Sequence, residues 1–125
     1  MNSLYLSLSK YIWPISIMML AIVSVASLIP LPNLPEVPGT DKTHHIIAYA
    51  LIVLPICIVK PKHWWAFLLI VFLWSSAIEL IQPFVNRYAE WLDLLANLAG
   101  VMIGLIAGSL FKRLIIAVTG VNVIV

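Results

Sequence analysis

Asp41, Lys42 and His45 lie within one helical turn of one another, Glu79 and Gln82 are followed closely by Arg87, and Asp93 precedes Asn97 by four residues. Spacings of three and four bring side chains onto one face of a helix. Lys42 and Arg87 are groups that recognise phosphate or carboxylate, and the Arg87 guanidinium does so with a two-pronged fork. Asp41, His45, Glu79 and Asp93 can move protons or ligate a hard metal ion. The set suits recognition of a polar head group, with His45, Glu79 and Asp93 as candidates for proton transfer. No nucleophile accompanies them. Cys57 is the single cysteine, which excludes an internal disulfide, and it is expected to pack as a small hydrophobe away from the acids. One histidine with dispersed carboxylates lacks the compact spacing of a strong zinc motif, so neither a resident metal nor a cofactor is expected.

The elements that must position these groups follow from composition. The chain is 63% hydrophobic and only 10% charged, with a mean hydropathy of +1.10, where a soluble domain is roughly 25% charged. Four apolar runs, spanning about 11–29, 43–59, 64–82 and 92–111, each approach the roughly 20 residues a helix needs to cross the hydrocarbon layer. The expected fold is an all-α membrane protein, a four-transmembrane-helix bundle forming a single domain over residues 1–125, with 114–125 as an apolar tail. That tail either extends the fourth helix or lies at the interface, and Thr119, Gly120 and Asn122 suggest a helix end there.

Basic residues orient the bundle. Lys10, Lys60, Lys62, Lys112 and Arg113 share one side; Lys42 and Arg87 join all five acids, Glu36, Asp41, Glu79, Glu90 and Asp93, on the other. Because short loops rich in Lys and Arg remain cytoplasmic, both termini are expected inside and the acidic end outside. Trp13, Trp64 and Trp65 suit an inner aromatic belt, and Tyr88 and Trp91 an outer one. A competing reading takes the first run as a signal peptide cleaved near Ser24, Val25 and Ala26, but the run is long for an h-region of about 7–15 residues. In the first outer loop, Pro30, Pro32, Pro35 and Pro38 favour a stiff extended connector. Thr40 or Asp41 can cap the second helix, and Pro55 predicts a kink lower in it.

Within the second span, Asp41, His45 and Tyr49 form a polar stripe, from which His44 diverges by about 100°. In the third, Ser75 lies one turn deeper than Glu79, whose Cα is expected about 22 Å across the membrane from Trp64. A carboxylate there must face the bundle interior and find a partner, since lipid exposure is costly. In the fourth span, Asp93, Asn97, Gly100, Gly104 and Gly108 fall within about 80° on a helical wheel. Glycines spaced four apart let backbones approach closely, so this face is expected to pack inward and carry Asp93 and Asn97 toward Glu79 and His45.

The ordered pattern D-K-x-x-H, E-x-x-Q-x-x-x-x-R and R-x-x-x-x-x-D-x-x-x-N-x-x-G-x-x-x-G, running from Asp41 to Gly104, resembles the VanZ-like family of small bacterial membrane proteins. The resemblance covers about 27–108. It implies a place in the bacterial cytoplasmic membrane and a link to teicoplanin-type glycopeptide resistance, while the family's biochemical activity is not settled. The family pattern often has Gly before the arginine, where this chain has Asn86.

The leading expectation is an outer pocket formed by Asp41, Lys42, His45, Glu79, Gln82, Arg87, Asp93 and Asn97. It would bind an amphiphile such as a lipid-linked cell-envelope precursor or a glycopeptide. The alternatives are a membrane enzyme acting on a phosphate-containing lipid and a structural subunit of a larger membrane complex. The ligand is thus a membrane lipid or lipid-linked precursor, with a membrane-protein partner or a homodimer as further options. The basic residues orient the chain instead of forming a patch, which sets nucleic acid aside.

Overall fold

In the computed structural model, which describes residues 3–30 and 38–120, four long helices run alternately up and down. They are α1 (Ser3–Leu28), α2 (Asp41–Val59), α3 (Trp64–Ile81) and α4 (Trp91–Thr119), with a 3₁₀ turn at Gln82–Val85. Four segments are apolar and long enough to cross a membrane: Lys10–Leu28, Asp41–Val59, Trp64–Val85, which joins α3 to the 3₁₀ turn, and Trp91–Thr119. Outward faces present Ile22, Leu69, Leu73, Met102 and Ile106, whereas the polar side chains turn inward. An apolar outside of this extent is at home in lipid. The chain is a multi-pass membrane protein.

The helices begin and end for local reasons. The Thr40 hydroxyl accepts from the Thr43 N–H at 3.2 Å, capping α2, with Asp41 in the first turn where its charge meets the positive end of the helix dipole. Pro55 lies inside α2 and does not interrupt it. Lys60 and His63 both adopt left-handed conformations, φ 53° and 63°, in the tight turn to α3, and the Lys60 ammonium sits over the Trp64 ring at 4.9 Å.

One boundary differs from the sequence expectation: helix α1 starts at Ser3, ahead of its apolar window. Of the two courses open to the residues after Arg113, the structure takes the first: helix α4 continues through Lys112 and Arg113 to Thr119, because both side chains are good helix formers whose long stems reach toward polar surroundings. Gly120 ends it, with φ 65° and its N–H bonded to the Ile116 carbonyl at 2.8 Å. Pro32, Pro35, Glu36 and Asn122 lie outside the described residues.

Helix α2 is the hub, with Tyr49, Ile52, Val53, Ile56 and Cys57 all buried. Its contact with α4 is made by the glycine face. A Cβ at Gly100 would stand 2.5 Å from the Ile46 carbonyl oxygen, and one at Gly108 would stand 2.6 Å from the Cys57 Cβ; Gly104 faces Val53 and Ala50. Cys57 is thus a packing residue. Helix α1 joins α3 where the Trp74 indole N–H donates to the Ser24 hydroxyl at 2.8 Å, and that hydroxyl donates to the Leu20 carbonyl at 2.7 Å. At the basic end Trp13 meets Phe67 edge to face, 5.4 Å between centroids.

Candidate functional site

The antiparallel order gathers the last turn of α1, the first turns of α2 and α4 and the last turn of α3 at one end, and the polar side chains of three helices meet there. The glycine contacts fix the rotation of α4 against α2, so Asn97, one turn before Gly100, faces His45. The His45 Nδ1 to Asn97 Oδ1 distance is 2.7 Å, and the Asn97 amide nitrogen donates to Glu79 Oε1 over a long 3.5 Å. His45, Asn97 and Glu79 are 7%, 1% and 6% exposed, so this chain of contacts runs inside the bundle. Its polarity follows from the end members. A carboxylate accepts, so the Asn97 nitrogen faces Glu79; the Asn97 oxygen then accepts from His45, and Nδ1 carries the proton. In a neutral imidazole that leaves Nε2 with its lone pair, directed at Asp41 Oδ2 3.9 Å away, beyond hydrogen-bonding distance. Tyr49 lies parallel to the His45 ring at 6.5 Å.

Arg87 closes one side of the cluster. It follows Asn86, which takes a left-handed conformation at φ 58° as the cap of the 3₁₀ turn. Asparagine tolerates that region better than other side-chain-bearing residues, which is why it can serve as the cap without glycine. The Arg87 guanidinium donates to the Ile29 carbonyl at 3.4 Å and lies 3.6 Å from Asp41. The Gln82 amide donates to the Ser27 carbonyl at 3.2 Å. These two contacts use the carbonyls freed at the C-terminus of α1. On the other side Lys42 pairs with Glu90 at 2.7 Å and lies 3.4 Å from Asp93 Oδ1. That Asp93 oxygen is within ion-pair distance of Lys42 but makes no hydrogen bond, and Glu79 Oε2 and Gln82 Oε1 are likewise buried without one.

Seven of the eight candidate residues, Asp41, Lys42, His45, Glu79, Arg87, Asp93 and Asn97, are therefore linked by these contacts, and Gln82 is held beside them on the end of α1 that Arg87 also grips. Asp41, Lys42 and Glu90 form its half-exposed mouth and Glu79 its floor. Ser75, buried one turn below, turns its hydroxyl to the Phe72 carbonyl at 2.8 Å. His44 lies apart, its Nε2 2.9 Å from the Pro38 carbonyl. Chemically the region combines two cations, a histidine with a directed lone pair and several carboxylates. It can hold an anion at its mouth and a proton or cation deeper in.

A family model described as VanZ/LLP1 matches residues 4–112. The chain belongs to the VanZ/LLP1 family. No curated protein and no solved structure matches it.

In this VanZ/LLP1 chain, two features of the site were not evident from residue spacing. The backbone carbonyls of Ser27 and Ile29 hold Gln82 and Arg87, and a carbonyl leaves no mark in a sequence. Asp41, His45 and Asp93, dispersed along the chain, each offer a ligand atom, and those atoms lie within 4.8 Å of one another. Asp41 and His45 were readable as an i, i+4 pair and the glycine face was expected to bring Asp93 toward His45; the closeness of the three ligand atoms was not readable.

Proposed function

We propose that this VanZ/LLP1 protein binds the polar head of an amphiphile at the outer face of the bacterial cytoplasmic membrane. The ligand class is a lipid-linked cell-envelope precursor or an amphiphilic glycopeptide. Arg87 and Lys42 engage its phosphate or carboxylate, and Asp41, His45, Gln82, Asp93 and Asn97 shape the site above Glu79. The observation that carries this reading is Glu79: buried, with one oxygen lacking any hydrogen bond, and with no Lys or Arg paired to it among the described residues. A packing role would call for a partner. The outward assignment is supported by the segregation of five of the seven basic residues to the opposite end.

A second reading, an enzyme acting on a phosphate-containing lipid, draws on the His45–Asn97–Glu79 chain. In it Asn97 holds the His45 ring through Nδ1, leaving Nε2 to exchange a proton with a ligand at the mouth. In both readings Glu79→Gln and Arg87→Ala abolish ligand-dependent function while the protein still accumulates in the membrane. If both variants fail to accumulate, the cluster is structural and the chain is a scaffold or a subunit. Turnover of a defined lipid by purified protein separates the enzyme from the binding protein.

A further inference from the structure

The charge inventory of the site is unbalanced in one direction. Asp41, Glu79, Glu90 and Asp93 supply four carboxylates, whereas Lys42 and Arg87 supply the fixed cations. An anionic head group entering such a site needs more positive charge than the chain provides. Asp41, His45 and Asp93 each direct one ligand atom into the same space at the mouth, within 4.8 Å of one another. Two further observations point to a cation there. His45, nine-tenths buried, uses Nδ1–H on the Asn97 carbonyl and leaves Nε2 facing the cluster with no hydrogen bond to Asp41. That is the arrangement by which an outer-shell carbonyl fixes the ring of a metal-ligating histidine. Asp93 is 3% exposed, and its Oδ1 is buried without a hydrogen bond, 3.4 Å from the Lys42 ammonium, a position a metal ion would take over.

We infer that Asp41, His45 and Asp93 form a site for one divalent transition-metal ion, Zn²⁺ or Mn²⁺, whose open coordination positions take a phosphate oxygen of the head group. One nitrogen and two carboxylate donors suit either ion, and three protein ligands leave room for a fourth from outside. Metal–ligand bonds of about 2.0–2.2 Å require the three donors to draw somewhat closer. The half-exposed Asp41 side chain has the freedom to do so, and Lys42, moving off Asp93, keeps its pair with Glu90. The metal site stands on these residues alone; its role as a bridge to phosphate rests on the head-group reading.

The test uses the full chain, purified in detergent, stripped with EDTA and equilibrated with Zn²⁺ or Mn²⁺ without lipid. The expected result is one ion per chain, bound roughly tenfold or more weakly by Asp41→Asn, at least the loss typical of an outer-shell partner. Bound Mn²⁺ should show a nitrogen coupling by electron paramagnetic resonance that disappears in His45→Gln, while Lys42→Gln should bind the ion as tightly as the parent or more so. Should His45→Gln fail to fold, Asp41→Asn decides, since its side chain is half exposed. No stoichiometric binding, or binding unchanged in Asp41→Asn as expected of an ion on His44 or His63, overturns the site. Binding of a polyprenyl phosphate is then compared with and without EDTA. If it survives chelation undiminished, the bridge is overturned and the head-group reading stands; if no phosphate lipid binds under either condition while the ion does, the head-group reading fails and the metal site stands.

Discussion

At the scale of single residues, Glu79 has a burial that packing alone does not explain. A carboxylate held for structure sits beside a cation, and breaking such a buried pair typically costs about 3–5 kcal/mol. Among the described residues Glu79 has one hydrogen bond, the long contact from Asn97, and no Lys or Arg beside it, so Glu79→Gln, which keeps the shape, should change stability by no more than about 1 kcal/mol. Thermal melting of the purified protein checks this, and ligand binding should fall in the same variant. Arg87 differs, because it spans the Ile29 carbonyl and Asp41 at once. Arg87→Lys keeps the charge but loses the planar fork, and it should weaken anion binding about tenfold, the equivalent of about 1.4 kcal/mol, in a titration against the parent. Retention of full affinity in Arg87→Lys would mean that the guanidinium acts only as a point charge.

At the scale of elements, the α2–α4 contact sets the site's geometry, because Asn97 reaches His45 and Glu79 only while Gly100, Gly104 and Gly108 lie against α2. Gly100→Ala places a methyl group against the Ile46 carbonyl. Overpacking of this kind costs about 1–3 kcal/mol, so the variant should melt earlier and lose ligand affinity together. Trp74→Phe, which removes the donor to Ser24, should cost about 0.6 kcal/mol, the average for a hydrogen bond between membrane helices, and leave binding intact. The helical wheel made the glycine face legible in the sequence, and with it the meeting of Asn97 with Glu79 and His45. The continuation of α4 through Lys112 and Arg113 was one of two courses the sequence left open, since charge marks the edge of a hydrocarbon layer and not the end of a helix. The grip of Ser27 and Ile29 on Gln82 and Arg87 was hidden because it depends on where α1 ends in space.

For the whole molecule, the separation of charge between its ends predicts a single orientation. A cysteine introduced as Glu90→Cys should react with a membrane-impermeant maleimide added outside intact cells, and one introduced as Lys62→Cys only after permeabilisation. The native Cys57 is buried and should stay silent. Four spans and a polar end were legible because apolar length and basic loops act through the bilayer, independently of tertiary detail. Whether that polar end holds a phosphate head group is measured by a binding titration of the chain in nanodiscs, with divalent cation present, against a polyprenyl phosphate and the matching neutral polyprenol. Saturable binding of the phosphate form alone is expected, lost in Arg87→Ala at unchanged folding. Equal binding of the neutral lipid, or phosphate binding that Arg87→Ala leaves untouched, would contradict it.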